Sequence, residues 1–191
     1  MKLVLASSSP RRQELLQRAG FEFEVRPSAT EEVRRSGESA EDFTCRAARE
    51  KSLDVAGSSL PGSLVLGADT VVVIDGLILG KPADQDDAAH MLRMLSGATH
   101  RVVTGVCLVR APGEILALTH ETTMVKFREL EEAEIRDYVR SGEPVDKAGA
   151  YAIQGLASRF VTRIEGCYFN VVGLPVPIVY DLLKPLLKLS H

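Results

Sequence analysis

The stretch Leu64-Val65-Leu66-Gly67-Ala68-Asp69-Thr70-Val71-Val72-Val73-Ile74-Asp75-Gly76-Leu77-Ile78-Leu79 decides how the rest of the chain is read. Two aliphatic, β-branched runs flank the polar pair Asp69-Thr70, so the spacing predicts strand with a bend or bulge at that pair. Asp75-Gly76 is a hairpin turn signal leading into a short second strand at Leu77-Ile78-Leu79. Upstream, residues 39–56 have helical periodicity, with Ser39 as N-cap and Glu41 and Asp42 in the first turn. Pro27 to Gly37 is polar and reads as loop, and Phe21, Phe23 and Val25 alternate with charged residues as a half-buried strand would. The chain starts with a strand over Lys2 to Ala6. A helix follows from Pro10, capped by Ser9, with Leu15, Leu16 and Ala19 on one face and Gly20 at its end. Downstream, 84–95 is amphipathic helix, and strands at 101–110 and 115–127 are joined through Ala111-Pro112-Gly113. Residues 131–141 are helical. Strand-like runs at 160–164 and 169–172 flank Glu165-Gly166, and a last helix over 176–189 must bend or break near Pro185. Strands and helices alternate without strict βαβ regularity, which predicts a mixed-sheet α/β fold.

The 191 residues show no repeat and no linker, and the expectation is one domain over 1–191. A net charge of −3 argues against a nucleic-acid polymer as partner, and with six Phe, four Tyr and no Trp an extended base-stacking platform is not expected. No apolar run approaches the roughly 18 residues that span a bilayer. The run Leu3 to Ala6 is too short for a signal-peptide core. Cys45, Cys107 and Cys167 lie far apart with no CxxC pair, as expected of reduced thiols acting as core filler. These features predict a soluble, cytoplasmic protein with no membrane partner.

Within Ser7-Ser8-Ser9-Pro10-Arg11-Arg12, two arginines stand in the first turn of a helix, where the macrodipole disfavours cations. They suit an anion held by backbone N–H groups, serine hydroxyls and guanidinium forks, although surface arginines pointing into solvent would look the same. Asp69, between strand-like runs, is costly to bury unless it is paired, binds a metal or does chemistry; a turn aspartate bonded to its own backbone is the alternative. Gly80-Lys81-Pro82 does not complete a P-loop, because Gly76 to Lys81 is one residue short and proline follows the lysine. Glu143, Asp146 and Lys147 fit either a solvated loop or, given the glycines around them, backbone passing close to a ligand. His90, His100, His120 and His191 lack zinc-ligand spacing, and neither GxSxG nor GxGxxG occurs. An anion site, several lysines and a few placed carboxylates remain, the inventory of a metal-assisted phosphate enzyme.

Six motifs run in order from Ser7 to Pro175: S-S-S-P-R-R, G-A-D-T, G-K-P, L-S-G-x-T-H-x-V-x-T-G-V, G-E-P-x-D-K-A-G-A-Y-x-I-Q-G and N-V-V-G-L-P. Together they resemble the Maf family of nucleoside triphosphate pyrophosphatases. The resemblance implies an elongated mixed β-sheet flanked by helices, with two lobes around a central cleft as in Maf proteins and inosine triphosphatases. It further implies a cytosolic enzyme, often a homodimer, that uses a divalent metal (Mg²⁺ or Mn²⁺) to cleave a nucleoside triphosphate into monophosphate and pyrophosphate. Carried over by position, the catalytic aspartate is Asp69, either as general base or as metal ligand, with Glu32 as its acidic companion at the metal. Phosphate binding falls on Ser7, Ser8, Arg11, Arg12, Lys51, Lys81 and Lys147, and substrate choice on Arg11, Thr70 and Gln154. The stretch D-K-A-G-A-Y-x-I-Q-G resembles the branch acting on dTTP and UTP. A glutamine amide at 154 matches the imide edge of uracil and thymine, donor for acceptor and acceptor for donor. The function implied is removal of non-canonical or excess nucleotides. A non-catalytic nucleotide-binding regulator of cell division and a purine-selective or sugar-phosphate hydrolase are the alternatives.

Overall fold

A computed structural model describes residues 1–187. Its first strand, β1 (Leu3–Leu5), is buried at every position. Ser9 caps α1 (Pro10–Arg18), and Pro10 occupies a first-turn position where its missing N–H leaves no gap in the ladder. After β2 (Glu24–Val25), α2 (Ala40–Gly57) begins at Ser39, whose hydroxyl accepts from the Asp42 N–H at 3.0 Å. β3 (Leu64–Ile74) and β4 (Leu77–Leu79) form the hairpin, with Asp75 and Gly76 both at positive φ. α3 (Gln85–Leu95) is capped by Asp84, and β5 (Thr99–Arg110) and β6 (Glu114–Phe127) follow. α4 (Glu132–Arg140) opens on a capping box between Glu131 and Glu134. Three short 3-10 turns lead to β7 (Val161–Glu165), α5 (Tyr168–Val172) and α6 (Val176–Leu183).

The seven strands form one mixed sheet in the order β2-β1-β3-β5-β6-β7, with β4 paired to β3. β1 is parallel to β2 and β3, while β4 and β7 run antiparallel to β3 and β6. The α/β architecture read from the sequence is the one observed. By contacts the chain divides into two compact units: Met1–Asp69 with Thr104–Glu121 and the segment from Gly173, and Thr70–Val103 with Thr122–Val172. β3, β5 and β6 contribute residues to both, so neither unit is a contiguous stretch of chain. No helix among the described residues is long and apolar enough to cross a membrane. The three cysteines form no disulfide; Cys107 is buried, Cys45 and Cys167 partly so.

Small residues set the first unit. A Cβ on Gly105 would lie 2.2–2.5 Å from the backbone of Thr44 and Cys45, and one on Gly67 would lie 2.5 Å from the Ala48 carbonyl oxygen. α2 therefore lies against β3 and β5 with almost no side-chain spacer, and Val4, Ala48, Val55, Val65, Cys107 and Val109 close the core around it. The second unit is built on aromatic rings instead. Phe127 packs edge-on against His100, Tyr151 and Phe160, and Tyr138 does so against Phe160.

Four local expectations are corrected. β3 runs unbroken through Asp69-Thr70, because a partner on α2 satisfies the aspartate without a bend. Only Glu24–Val25 pairs as β2, and Val25 is exposed, so the alternation of Phe21, Phe23 and Val25 does not mark a core face. Ala19 is also exposed, leaving Leu15 and Leu16 as the buried residues of α1. Residues 169–172, read as strand, lie in α5. A four-residue run with three apolar members, Phe169, Val171 and Val172, cannot distinguish the two periods. As helix, the segment turns Asn170 inward, where its amide donates to the Val102 carbonyl at 2.9 Å and to Thr123 Oγ1 at 3.0 Å. α6 ends two residues before Pro185, as its ring requires, and Leu189, where the helix was expected to end, lies outside the described residues.

One consequence of the aromatic core is measurable. His100 is 1% exposed, and its Nε2 lies 2.8 Å from the Tyr151 hydroxyl while Nδ1 finds no hydrogen-bond partner among the described residues. Burial pushes its pKa from 6.5 down to about 4. The folded state thus holds a neutral imidazole where the unfolded chain takes up a proton. The stability this contributes is present above pH 6.5 and is lost as pH falls towards 4, by about 3 kcal/mol in total. Denaturant titrations at pH 7 and pH 4.5 are expected to show His100→Gln losing about 2 kcal/mol less than the parent over that interval. Equal losses in the two proteins would mean that His100 is not held neutral.

Candidate active site

In the first unit, β1 delivers the chain directly into the turn that starts α1. Ser7 Oγ accepts from the Ser9 N–H at 3.2 Å and from the Arg12 guanidinium at 3.3 Å. Ser9 Oγ meets the Arg12 N–H only at 3.5 Å, a long cap. Arg12 Nε also donates to the Gly173 carbonyl at 2.8 Å, so its guanidinium is oriented from the far end of the chain. α1 has no acidic residue in its first turn. Ser8 is exposed and Arg11 half-buried at this same helix start. Backbone donors, a hydroxyl and an oriented guanidinium thus combine at a helix N-terminus, the arrangement that receives an anionic group.

Asp69 stands on β3 and Lys51 on α2, 4% and 8% exposed. Lys51 Nζ donates to Asp69 Oδ1 at 2.7 Å and also pairs with the Glu32 carboxylate. The missing Cβ of Gly67 lets α2 come close enough for this contact. Burial raises the proton affinity of Asp69 above that of an ordinary carboxylate, and Glu32 adds to the rise against the opposing charges of Lys51 and Arg12. Burial likewise lowers the pKa of Arg12, opposed by Asp69 and Glu32. Those electrostatic couplings join Arg12, Lys51, Glu32 and Asp69 into one charged cluster. Glu32 is itself exposed, on a loop that α2 secures through Arg46. That guanidinium donates to the Val33 carbonyl at 2.9 Å, to both oxygens of Glu38 at 2.6 and 2.7 Å, and to Glu50.

The cluster fits a divalent cation in its chemistry. Two carboxylates from different segments already converge on one cationic centre, the Lys51 ammonium, and offer the hard oxygen donors that Mg²⁺ and Mn²⁺ prefer. Among the described residues no three or more His, Cys, Asp or Glu side chains are grouped so as to hold a metal ion, so phosphate oxygens and water would complete the coordination.

In the second unit, Thr70 follows Asp69 on β3 and is half-buried. Lys81 is exposed in the turn after β4, and Lys147 is half-buried and paired with Asp146. The Gly149 N–H donates to the Gly80 carbonyl at 2.9 Å and fastens the two lysine-bearing loops together. Gly149 adopts φ +67°, and a Cβ there would lie 2.7 Å from a Val72 methyl, so the loop needs glycine twice over. Gln154 is exposed on its own turn. The structure therefore assembles Ser7, Arg12, Glu32, Lys51 and Asp69 in one cluster and ties the Lys81 and Lys147 loops as a pair. The sequence reading missed the Gly173 carbonyl and the Arg46 brace. Only the glycine of N-V-V-G-L-P hinted at the first, and a lone arginine within a helix gives no signal of the second.

A family model described as Maf-like protein matches residues 2–186. A dTTP/UTP pyrophosphatase from Koribacter versatilis (strain Ellin345) is 53% identical over 184 residues, covering 96% of this chain and 94% of that protein. Another dTTP/UTP pyrophosphatase, from Thermococcus gammatolerans, is 51% identical over 180 residues and 94% of both chains. A solved nucleoside-triphosphatase / dITP/XTP pyrophosphatase from Mycobacterium abscessus aligns with 68% of this chain and 76% of its own, at 20% identity and a TM-score of 0.41. That likeness is too distant to carry an argument.

Proposed function

The chain belongs to the Maf-like protein family, and from that premise we propose that it hydrolyses nucleoside triphosphates, dTTP and UTP foremost, to the monophosphate and pyrophosphate. The observation that carries this reading is the buried Asp69 with Lys51, Glu32 and Arg12 around it. A carboxylate held there against its desolvation cost, beside cations and an anion-receiving helix start, suits chemistry at a phosphate. In the proposed reaction a water oxygen forms a bond to the α-phosphorus. The bond from that phosphorus to the α–β bridging oxygen breaks, and pyrophosphate departs with the electron pair. Asp69 orients the water and takes its proton, a task that its burial-raised proton affinity favours. Ser7, Ser8, Arg11, Arg12, Lys51, Lys81 and Lys147 bind the phosphates and balance the charge that develops on them. Glu32, joined by Asp69 if the aspartate serves as ligand instead of base, would hold Mg²⁺ or Mn²⁺, which supplies further neutralisation of the phosphate oxygens when bound.

Gln154, with Thr70 and Arg11 tuning the fit, reads the base. Uracil and thymine offer an N3–H donor beside carbonyl acceptors, whereas cytosine replaces O4 with an amino donor and has no N3 proton. The test is pyrophosphate release across UTP, dTTP, CTP, ATP, GTP and 7-methyl-GTP with Mg²⁺. UTP and dTTP are expected to exceed CTP in kcat/KM by a factor corresponding to about 1–3 kcal/mol, and Gln154→Ala to flatten that preference. Nucleotide binding without any pyrophosphate release would replace the enzyme with a nucleotide-sensing regulator.

A further inference from the structure

The charged residues of the G-E-P-x-D-K segment do not all serve the phosphates. Glu143 points back into its own unit. One carboxylate oxygen accepts from the Tyr138 hydroxyl at 2.8 Å, and the other accepts from the Leu156 N–H at 3.0 Å. The same Tyr138 hydroxyl accepts from the Ala152 N–H at 3.1 Å. The turn 152–156 is thus held at both ends, and its own Gly155 N–H to Ala152 carbonyl bond, at 3.0 Å, closes it. Gln154 lies between the two anchors. The fit is tight, because a Cβ on Gly155 would lie 2.3 Å from both carboxylate oxygens, a distance no side chain tolerates. Tyr138 is fully buried on α4 against Phe160, so the anchor reaches from the aromatic core to the exposed turn.

A glutamine that discriminates uracil from cytosine must keep its amide facing one way, since rotating it by half a turn exchanges donor for acceptor and favours the wrong base. The side chain has three rotatable bonds of its own, so direction can be kept only if the backbone that carries it does not move. A hydrogen bond from an N–H to a carboxylate is about twice as strong as a neutral one, and here it fixes the residue two places beyond Gln154. The hydroxyl fixes the residue two places before it. We propose that Glu143 and Tyr138 are positioning residues for nucleobase selection, clamping the turn that presents Gln154. This inference rests on the reading of Gln154 given above.

The experiment measures kcat and KM for UTP and CTP, with melting temperature, in Tyr138→Phe, Glu143→Ala, Glu143→Gln and Gln154→Ala. Tyr138→Phe keeps the ring in the core and removes only the anchor. The UTP-to-CTP ratio of kcat/KM is expected to fall at least fivefold in Tyr138→Phe and in Glu143→Ala, mainly through a higher KM for UTP. Glu143→Gln, which retains an acceptor for the Leu156 N–H, is expected to recover part of that ratio. Combining Glu143→Ala with Gln154→Ala should reduce the ratio no further than Gln154→Ala alone, because the clamp acts through that amide. A merely structural role predicts lower melting temperatures and equal losses on both nucleotides, and that result overturns the inference. Should Gln154→Ala lower the ratio while Tyr138→Phe leaves it intact, the clamp is wrong and the base reading stands. A ratio that Gln154→Ala does not move removes the base reading itself. If Glu143→Ala does not fold, Tyr138→Phe decides.

Discussion

Asp69→Asn is expected to lower UTP turnover by on the order of 10³-fold while leaving binding of a non-hydrolysable UTP analogue within about threefold of the parent. The amide keeps the volume of the side chain and its place on β3, but it cannot accept the proton of the attacking water. Two features keep the loss confined to chemistry. Lys51 retains Glu32 as a counter-ion, so the substitution leaves no lone ammonium in the cluster. The carboxylate it replaces is disfavoured by burial, which raises its proton affinity, and a neutral amide avoids that cost. Removing one negative charge from a phosphate-binding cluster also favours the analogue. Turnover within tenfold of the parent would remove Asp69 from the proton transfer. Loss of analogue binding together with turnover would make it a binding group.

The parts of this protein that the sequence made legible are those written locally. Ser9 and Ser39 announce their helices because a side chain and the N–H three residues on belong to the same turn. Asp75-Gly76 announces its hairpin because both residues stand at positive φ. Asp69 announces itself as an acid among β-branched residues, although its partner on α2 is invisible until the fold forms. Long-range hydrogen bonds from the backbone leave no such trace. Nothing in the residue type of Gly173 says that its carbonyl orients Arg12, and nothing in Glu143 separates a solvated loop acid from one bonded to the Leu156 N–H. A helix-start arginine judged by the dipole alone is dispensable to the fold, whereas one bonded to Ser7 and Gly173 contributes to holding α1 in place. α5 failed for the opposite reason: Phe169, Val171 and Val172 fit two periods equally, and only the inward pairing of Asn170 decides between them.

Gly67→Ala should be the most damaging single-carbon change on β3, costing about 3 kcal/mol or more in stability. The added Cβ would lie 2.3 Å from Ser52 Oγ, 2.5 Å from the Ala48 carbonyl oxygen and 3.1 Å from the Ser52 N. The hydroxyl can rotate away only by giving up its bonds to the Ala48 and Cys107 carbonyls, at 2.9 and 3.1 Å. The Ala48 carbonyl belongs to the α2 ladder and cannot move alone. The helix must therefore lift off the strand, and Lys51, which precedes Ser52, lifts with it. Its 2.7 Å contact with Asp69 cannot survive a displacement of an ångström. Stability and turnover should thus fall together, with pyrophosphate release reduced even at temperatures where the variant remains folded. Gly57→Ala, at the end of the same helix with no atom within 4 Å of the new Cβ, is the control and should leave both unchanged. Denaturant titration with activity at 25 °C on the two variants separates the cases. A Gly67→Ala protein with parental stability would show that α2 does not depend on that missing carbon to reach Asp69.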